Sequence, residues 1–172
     1  YVQKNLRNLL LAILKLKKKL PNIKLKIAGR PIDEDYSNEL QELITLHNLD
    51  SNIEFLGHQN SDQLIEYYRS CKAFVFPSII ETFGNPLLEA MSCGTPIICS
   101  QNAAMPEIVG DATVFFDPNN VDDMAEKIRL VYGDEELRLR ISEKAKKRSL
   151  LFSWEQAAKE TSRILKEAAQ NN

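Results

Sequence analysis

The sequence predicts an α/β domain of the Rossmann-like kind, three layers deep, with a parallel sheet flanked by helices. Short apolar runs alternate with segments of helical spacing along almost the whole chain, and repeated β-then-α units close through right-handed crossovers into a parallel sheet. The run 73–76 is apolar throughout, as a strand covered on both faces is. The 172 residues suit one domain, since a domain averages roughly 150 residues.

Each element follows from its own pattern. Leu6, Leu9, Leu10, Ile13 and Leu16 recur at helical spacing before Lys15, Lys17, Lys18, Lys19 and a stopping Pro21, which predicts a first helix with cations in its last turn. Ile23, Leu25 and Ile27 alternate with lysines up to Gly29, as a strand entering a loop does. Helix is expected over 36–49, strand over 53–56, helix over 61–69 and strand over 73–76. There follow a helix over 85–91, a strand over 95–99, a short helix over 105–109, a strand over 113–116, and helices to the end. Ser153 and Gln156 read as a capping box opening the last helix.

Composition narrows the function classes. A formal charge of −2 with 44% hydrophobic residues describes an ordinary globular protein and supplies no general attraction for nucleic acid. Lys144, Lys146, Lys147 and Arg148 are interspersed with apolar residues and read as a solvated helix face. Cys71, Cys93 and Cys99 are odd in number and lack CxxC spacing, which suits small buried thiols in a reducing cytosol. No apolar run reaches the ~18 residues of a membrane span, so a cytoplasmic place is expected. The lysines closing the first helix allow peripheral contact with an anionic membrane at the cytoplasmic face. Tyr1 stands where an initiator Met would, almost inside a helical pattern, and the natural polypeptide is expected to begin earlier.

The chemistry gathers in residues 76–96. Ligands of such sheets bind beyond the carboxyl ends of the strands, and here a strand end, a loop and a helix start are packed together. Gly84 lets backbone approach a ligand, and Pro86 presets the first helical turn. The amides of Leu87 and Leu88 should then be free donors at a helix start carrying roughly half a positive charge, which makes an anion site. Glu81 precedes that helix and Glu89 lies about one turn inside it, placed to accept from paired hydroxyls such as a ribose diol.

Glu81 and Glu89, seven residues between them and Phe83-Gly84 inside, resemble the Glu-x7-Glu motif of family 4 of the retaining glycosyltransferases. The resemblance extends over nearly the whole chain: Phe55-Leu56-Gly57, the run 67–78, the phrase 89–96, Pro106-Glu107-Ile108-Val109 and Phe152-Ser153-Trp154 follow that family's C-terminal domain in order and spacing. It implies one half of a GT-B architecture, with residues 1–172 as a single nucleotide-sugar-binding domain whose first strand and N-terminal acceptor-binding domain lie outside the chain. It further implies that backbone at Phe83 and Gly84 meets the donor sugar or phosphate, that the Leu87 and Leu88 amides meet the diphosphate, and that Glu89 holds the ribose. Glu81 would touch the transferred sugar as the catalytic carboxylate. Lys4 resembles the lysine that helps hold the diphosphate, the family's companion arginine falling upstream, and Gln59 stands where backbone meets the base. The family uses no metal or other cofactor; its donor is a nucleoside diphosphate sugar.

Other readings carry less of the sequence. A nucleotide-sugar epimerase shares the diphosphate site but does not call for the phrase running from Glu81 to Glu89. A dinucleotide oxidoreductase needs G-x-G-x-x-G where the chain has Gly29-Arg30-Pro31-Ile32. An isolated module could bind nucleotide without turning it over. Asp33-Glu34-Asp35 superficially matches a metal-binding Asp-x-Asp, but acids before a helix are accounted for by capping and the dipole. His58, after Gly57 at a strand end, is the weaker of two readings as a ligand group.

Overall fold

The computed structural model describes residues 2–170; Tyr1, on which the upstream reading began, lies outside them. A 3-10 turn over Val2–Lys4 leads into α1 (Leu6–Lys17), followed by β1 (Leu25–Ala28), α2 (Glu34–Leu46), β2 (Ile53–Gly57), α3 (Ser61–Ser70) and β3 (Phe74–Phe76). Then come α4 (Asn85–Ser92), β4 (Ile97–Ser100), α5 (Met105–Val109), β5 (Thr113–Phe116), α6 (Val121–Gly133), α7 (Glu135–Ser149) and α8 (Trp154–Gln170). The expected alternation is present throughout, and every strand pairing is parallel.

The strands fall into two hydrogen-bonded groups, β1-β2 and β3-β4-β5, where one continuous sheet was expected. Among the described residues the second edges of β1 and β3 have no strand partner. Both groups nevertheless serve one core: Leu25 and Ile27 of β1, Val75 of β3 and Ile98 of β4 pack in the same hydrophobic cluster as α1, α2 and α6. A second cluster gathers α3, α4 and α5 with Phe76, Ile97 and Cys99. Because side chains alternate along a strand, Ile98 in one cluster and Ile97 and Cys99 in the other place the two clusters on opposite faces. Helix α7 joins them, giving Leu137 and Ile141 to the first and Ala145 to the second.

Element boundaries differ from expectation where backbone hydrogen bonding overrides the apolar pattern. Helix α2 starts two residues early because the Asp33 side chain accepts from the Tyr36 amide at 3.0 Å. It ends before Leu49 because Asn48 turns left-handed at φ 53, an ordinary helix stop. Strand β4 starts at Ile97 because the Thr95 amide returns to the Ala90 carbonyl and Pro96 has no amide to give. At the last helix Ser153 accepts from the Gln156 amide at 3.0 Å, but the Gln156 side chain turns to Glu160, so the box is half made. The reciprocal box sits at Asn60 and Gln63, opening α3. None of α8's residues is buried, and Trp154 is 86% exposed.

Candidate donor site at the carboxyl ends of the strands

The site begins with a stitch between the start of the chain and its middle. The Gln3 carbonyl accepts from the Ile79 amide at 2.9 Å, which fastens the 3-10 turn to the loop leaving β3. Asn5 follows at φ 56, a left-handed conformation that Asn tolerates better than most residues. It is buried, and its side-chain amide donates to the Pro77 and Pro118 carbonyls at 3.1 and 2.8 Å. One side chain thereby joins the chain's start, the β3–α4 loop and the loop after β5.

This stitching brings Lys4 to Glu81. Lys4 Nζ lies 2.5 Å from Glu81 Oε1, and the two side chains are 43% and 17% exposed. Lys4 Nζ also stands 5.8 Å from the centre of the Phe76 ring. The two groups assigned to opposite charges of a glycosyl phosphate are therefore direct neighbours.

Gly84 supplies the N-cap of α4 at φ 88, a conformation L-residues avoid. A Cβ there would come 3.3 Å from Leu87 Cδ1 and 3.5 Å from Phe76, so the backbone conformation requires glycine while the Leu87 side chain would have to give by a few tenths of an ångström. Pro86 occupies the first turn, and no side chain caps the helix. The Leu87 amide does not match expectation: it donates to the Gly84 carbonyl at 2.9 Å, because the tight glycine turn brings that carbonyl within reach. Leu87 is instead a core residue, fully buried, and its amide is not the free donor that the helix start led one to expect. Phe83 is largely exposed and meets Phe152 edge-on at 6.1 Å, which ties the site loop to the stretch entering α8.

Glu89 lies one turn deeper, and its Oε2 accepts from the Tyr68 hydroxyl of α3 at 3.2 Å. Burial above all, and then the Glu89 charge, push the Tyr68 pKa upward, so the phenol stays a donor over the working pH range. Gln59 lies on the β2–α3 loop, where its side chain donates to the Leu56 and His58 carbonyls at 2.6 and 3.1 Å. The nitrogen of that side chain is occupied within its own loop. Asp33, the first acid of the Asp-x-Asp, serves as the α2 cap.

Sequence reasoning missed Asn5 and Tyr68 as site-building residues. A lone buried Asn and one Tyr of a pair carry no periodic signal; their partners lie 72 and 21 positions away.

Known proteins resemble this chain in sequence and in fold. A family model described as glycosyl transferases group 1 covers residues 2–148. The O-antigen chain mannosyltransferase B of Escherichia coli is 38% identical over 109 residues, which are 63% of this chain and 29% of that protein. Among solved structures, the C-terminal domain of a group 1 glycosyl transferase from Francisella tularensis superposes with a TM-score of 0.78 at 27% identity, covering 88% of this chain and 80% of that one. HepE of Anabaena, solved with UDP-glucose, gives a TM-score of 0.87 at 21% identity over 97% of this chain and 46% of that one. The chain spans well under half the length of the curated relatives it matches. The shared fold is that of the GT-B glycosyltransferases.

Proposed function

Since the chain belongs to the group 1 glycosyl transferases, we propose that it is the C-terminal, donor-binding domain of a retaining hexosyltransferase of family 4. The observation that carries this is the contact of Lys4 with Glu81 beside the uncapped start of α4. Transfer from a nucleoside diphosphate sugar breaks the bond between the anomeric carbon and phosphate oxygen. Positive charge grows on the sugar and negative charge on the leaving diphosphate, so an enzyme needs an anion and a cation a few ångströms apart. Glu81 faces the sugar as the catalytic carboxylate, and Lys4 takes the diphosphate. Swapping the Lys4 ammonium from Glu81 to phosphate on donor arrival leaves the carboxylate free for the sugar.

The remaining contacts follow the loops. The backbone of Phe83 and Gly84 borders sugar and phosphate, the Leu88 amide and the α4 dipole add to Lys4, Glu89 accepts from the ribose diol, and main chain at Gln59 meets the base. A lysine and main-chain donors take the neutralising task a divalent ion performs elsewhere, so no metal or other cofactor enters this reading.

We further propose that residues 1–172 form one domain completed by chain outside it. β1 and β3 each have an edge without a strand partner among the described residues, and both contribute to one core, which suits one more parallel strand between them. The exposed α8, with Trp154, Ala158 and Leu165 along one groove, suits packing on an acceptor-binding domain. By itself the domain binds donor without turning it over. No helix among the described residues is long and apolar enough to cross a membrane. A cytoplasmic enzyme with peripheral contact through Lys18 and Lys19 fits better than contact through Lys15 and Lys17, which are engaged with the Asp122 carboxylate and the Asn48 carbonyl.

Calorimetric titration with UDP-, GDP- and ADP-sugars tests the reading. One of them should bind, and Glu89→Ala should weaken it without shifting the melting temperature. Binding of none of the three defeats the proposal.

A further inference from the structure

We infer that Tyr68 is a positioning residue, whose hydroxyl aims the Glu89 carboxylate at the ribose diol of the donor nucleotide. The inference rests on the proposed ribose role of Glu89 and adds the group that makes that glutamate selective.

Tyr68 is held from two directions. The residue is 8% exposed, and its ring meets Phe74 edge-on at 5.2 Å. Its carbonyl accepts from Thr95 Oγ1 at 2.8 Å, and Thr95 is 2% exposed. With ring and backbone fixed, the phenol oxygen has a set position, and its proton turns to Glu89 Oε2 at 3.2 Å. The contact crosses from α3 to α4, so it is tertiary packing and not helix geometry that orients the carboxylate.

Glu89 by contrast is exposed, and a free glutamate of this kind samples many rotamers. Anchoring one oxygen confines it in advance, which is the general gain of preorganisation. An ionised carboxylate has about four lone-pair sites; one serves Tyr68, and Oε1 remains open to the two hydroxyls of a diol. Phenylalanine would fill the same apolar space against Phe74, so packing does not explain the hydroxyl. The phrase from Glu89 to Pro96 gains a reason as well: it carries the ribose acceptor at one end and, at Thr95, the clamp on the tyrosine that orients it.

The test compares UDP, 2′,3′-dideoxy-UDP and inorganic pyrophosphate by calorimetry on the wild-type chain, Tyr68→Phe and Glu89→Ala, with melting temperatures in parallel. The wild type should prefer UDP to the dideoxy nucleotide. Tyr68→Phe should shrink that preference about fivefold, the effect of one net hydrogen bond, leaving dideoxy-UDP and pyrophosphate binding in place. A preference that Glu89→Ala erases and Tyr68→Phe retains overturns the Tyr68 role alone. Equal weakening of all three ligands by Tyr68→Phe also overturns it, because that is the mark of a structural lesion. A wild type indifferent to the diol removes the ribose role of Glu89, and this inference with it.

Discussion

Lys4 and Glu81, 77 positions apart, meet at 2.5 Å, and they do so because Gln3 and Asn5 on either side of the lysine are bonded to the loop that carries the glutamate. The ion pair is thus a consequence of the stitching around it and not its cause.

Being largely solvent-facing on the lysine side, the pair should add less than about 1 kcal/mol to stability. Glu81→Gln is therefore expected to leave the melting temperature nearly unchanged, while sugar transfer by an enzyme carrying both domains falls on the order of a hundredfold. A large stability loss with transfer intact would reverse the assignment.

Lys4→Ala removes the charge-assisted contact proposed with phosphate and should weaken nucleoside diphosphate binding roughly tenfold. Binding of the corresponding nucleoside, which has no phosphate, should be unaffected. Calorimetry with both ligands separates electrostatic loss from a general lesion.

Asn5→Ala strips two donors from buried surroundings and leaves the Pro77 and Pro118 carbonyls without this partner. A loss of about 3 kcal/mol is expected in urea unfolding. Asn5→Gly should lose nearly as much although glycine accepts the left-handed backbone, which would assign the effect to the hydrogen bonds. Full recovery by glycine would assign it to the backbone.

Gly84→Ala places a Cβ 3.3 Å from Leu87 Cδ1 at φ 88. Strain of about 1–3 kcal/mol is expected, read in the same unfolding experiment, together with reduced donor affinity as the start of α4 shifts.

Cys99 is fully buried, and burial pushes its thiol from 9.0 up to about 12 against a smaller opposing effect of the Thr113 hydroxyl. Its folded pKa lies above its unfolded one, so its contribution to stability is complete below pH 9 and is lost as pH rises from there toward 12. Unfolding free energy should fall over that window, and Cys99→Ala should flatten the fall by up to about 1.4 kcal/mol per pH unit. An unchanged slope would show that the thiol ionises as readily in the folded state as in the unfolded one.

Periodicity and turn chemistry are local, and what they control was readable from the residues: the order of strands and helices, the parallel pairing, the glycine at the start of α4 and the two glutamates flanking it. A helical face or an alternating strand is visible within a dozen positions, and the positive φ of Gly84 follows from the turn it occupies. What tertiary structure alone decided is which groups touch. The Leu87 amide turned back to Gly84 once the turn closed tightly, Asn5 became the joint of three segments, and Tyr68 acquired Glu89 across two helices. The split of the strands into two groups is likewise set by neighbours in space, since each strand's own sequence records only its propensity to be extended and not which edge will be filled. Hydrogen bonds between distant side chains depend on ångström-scale packing of whole elements, and that information is held by the fold as a body.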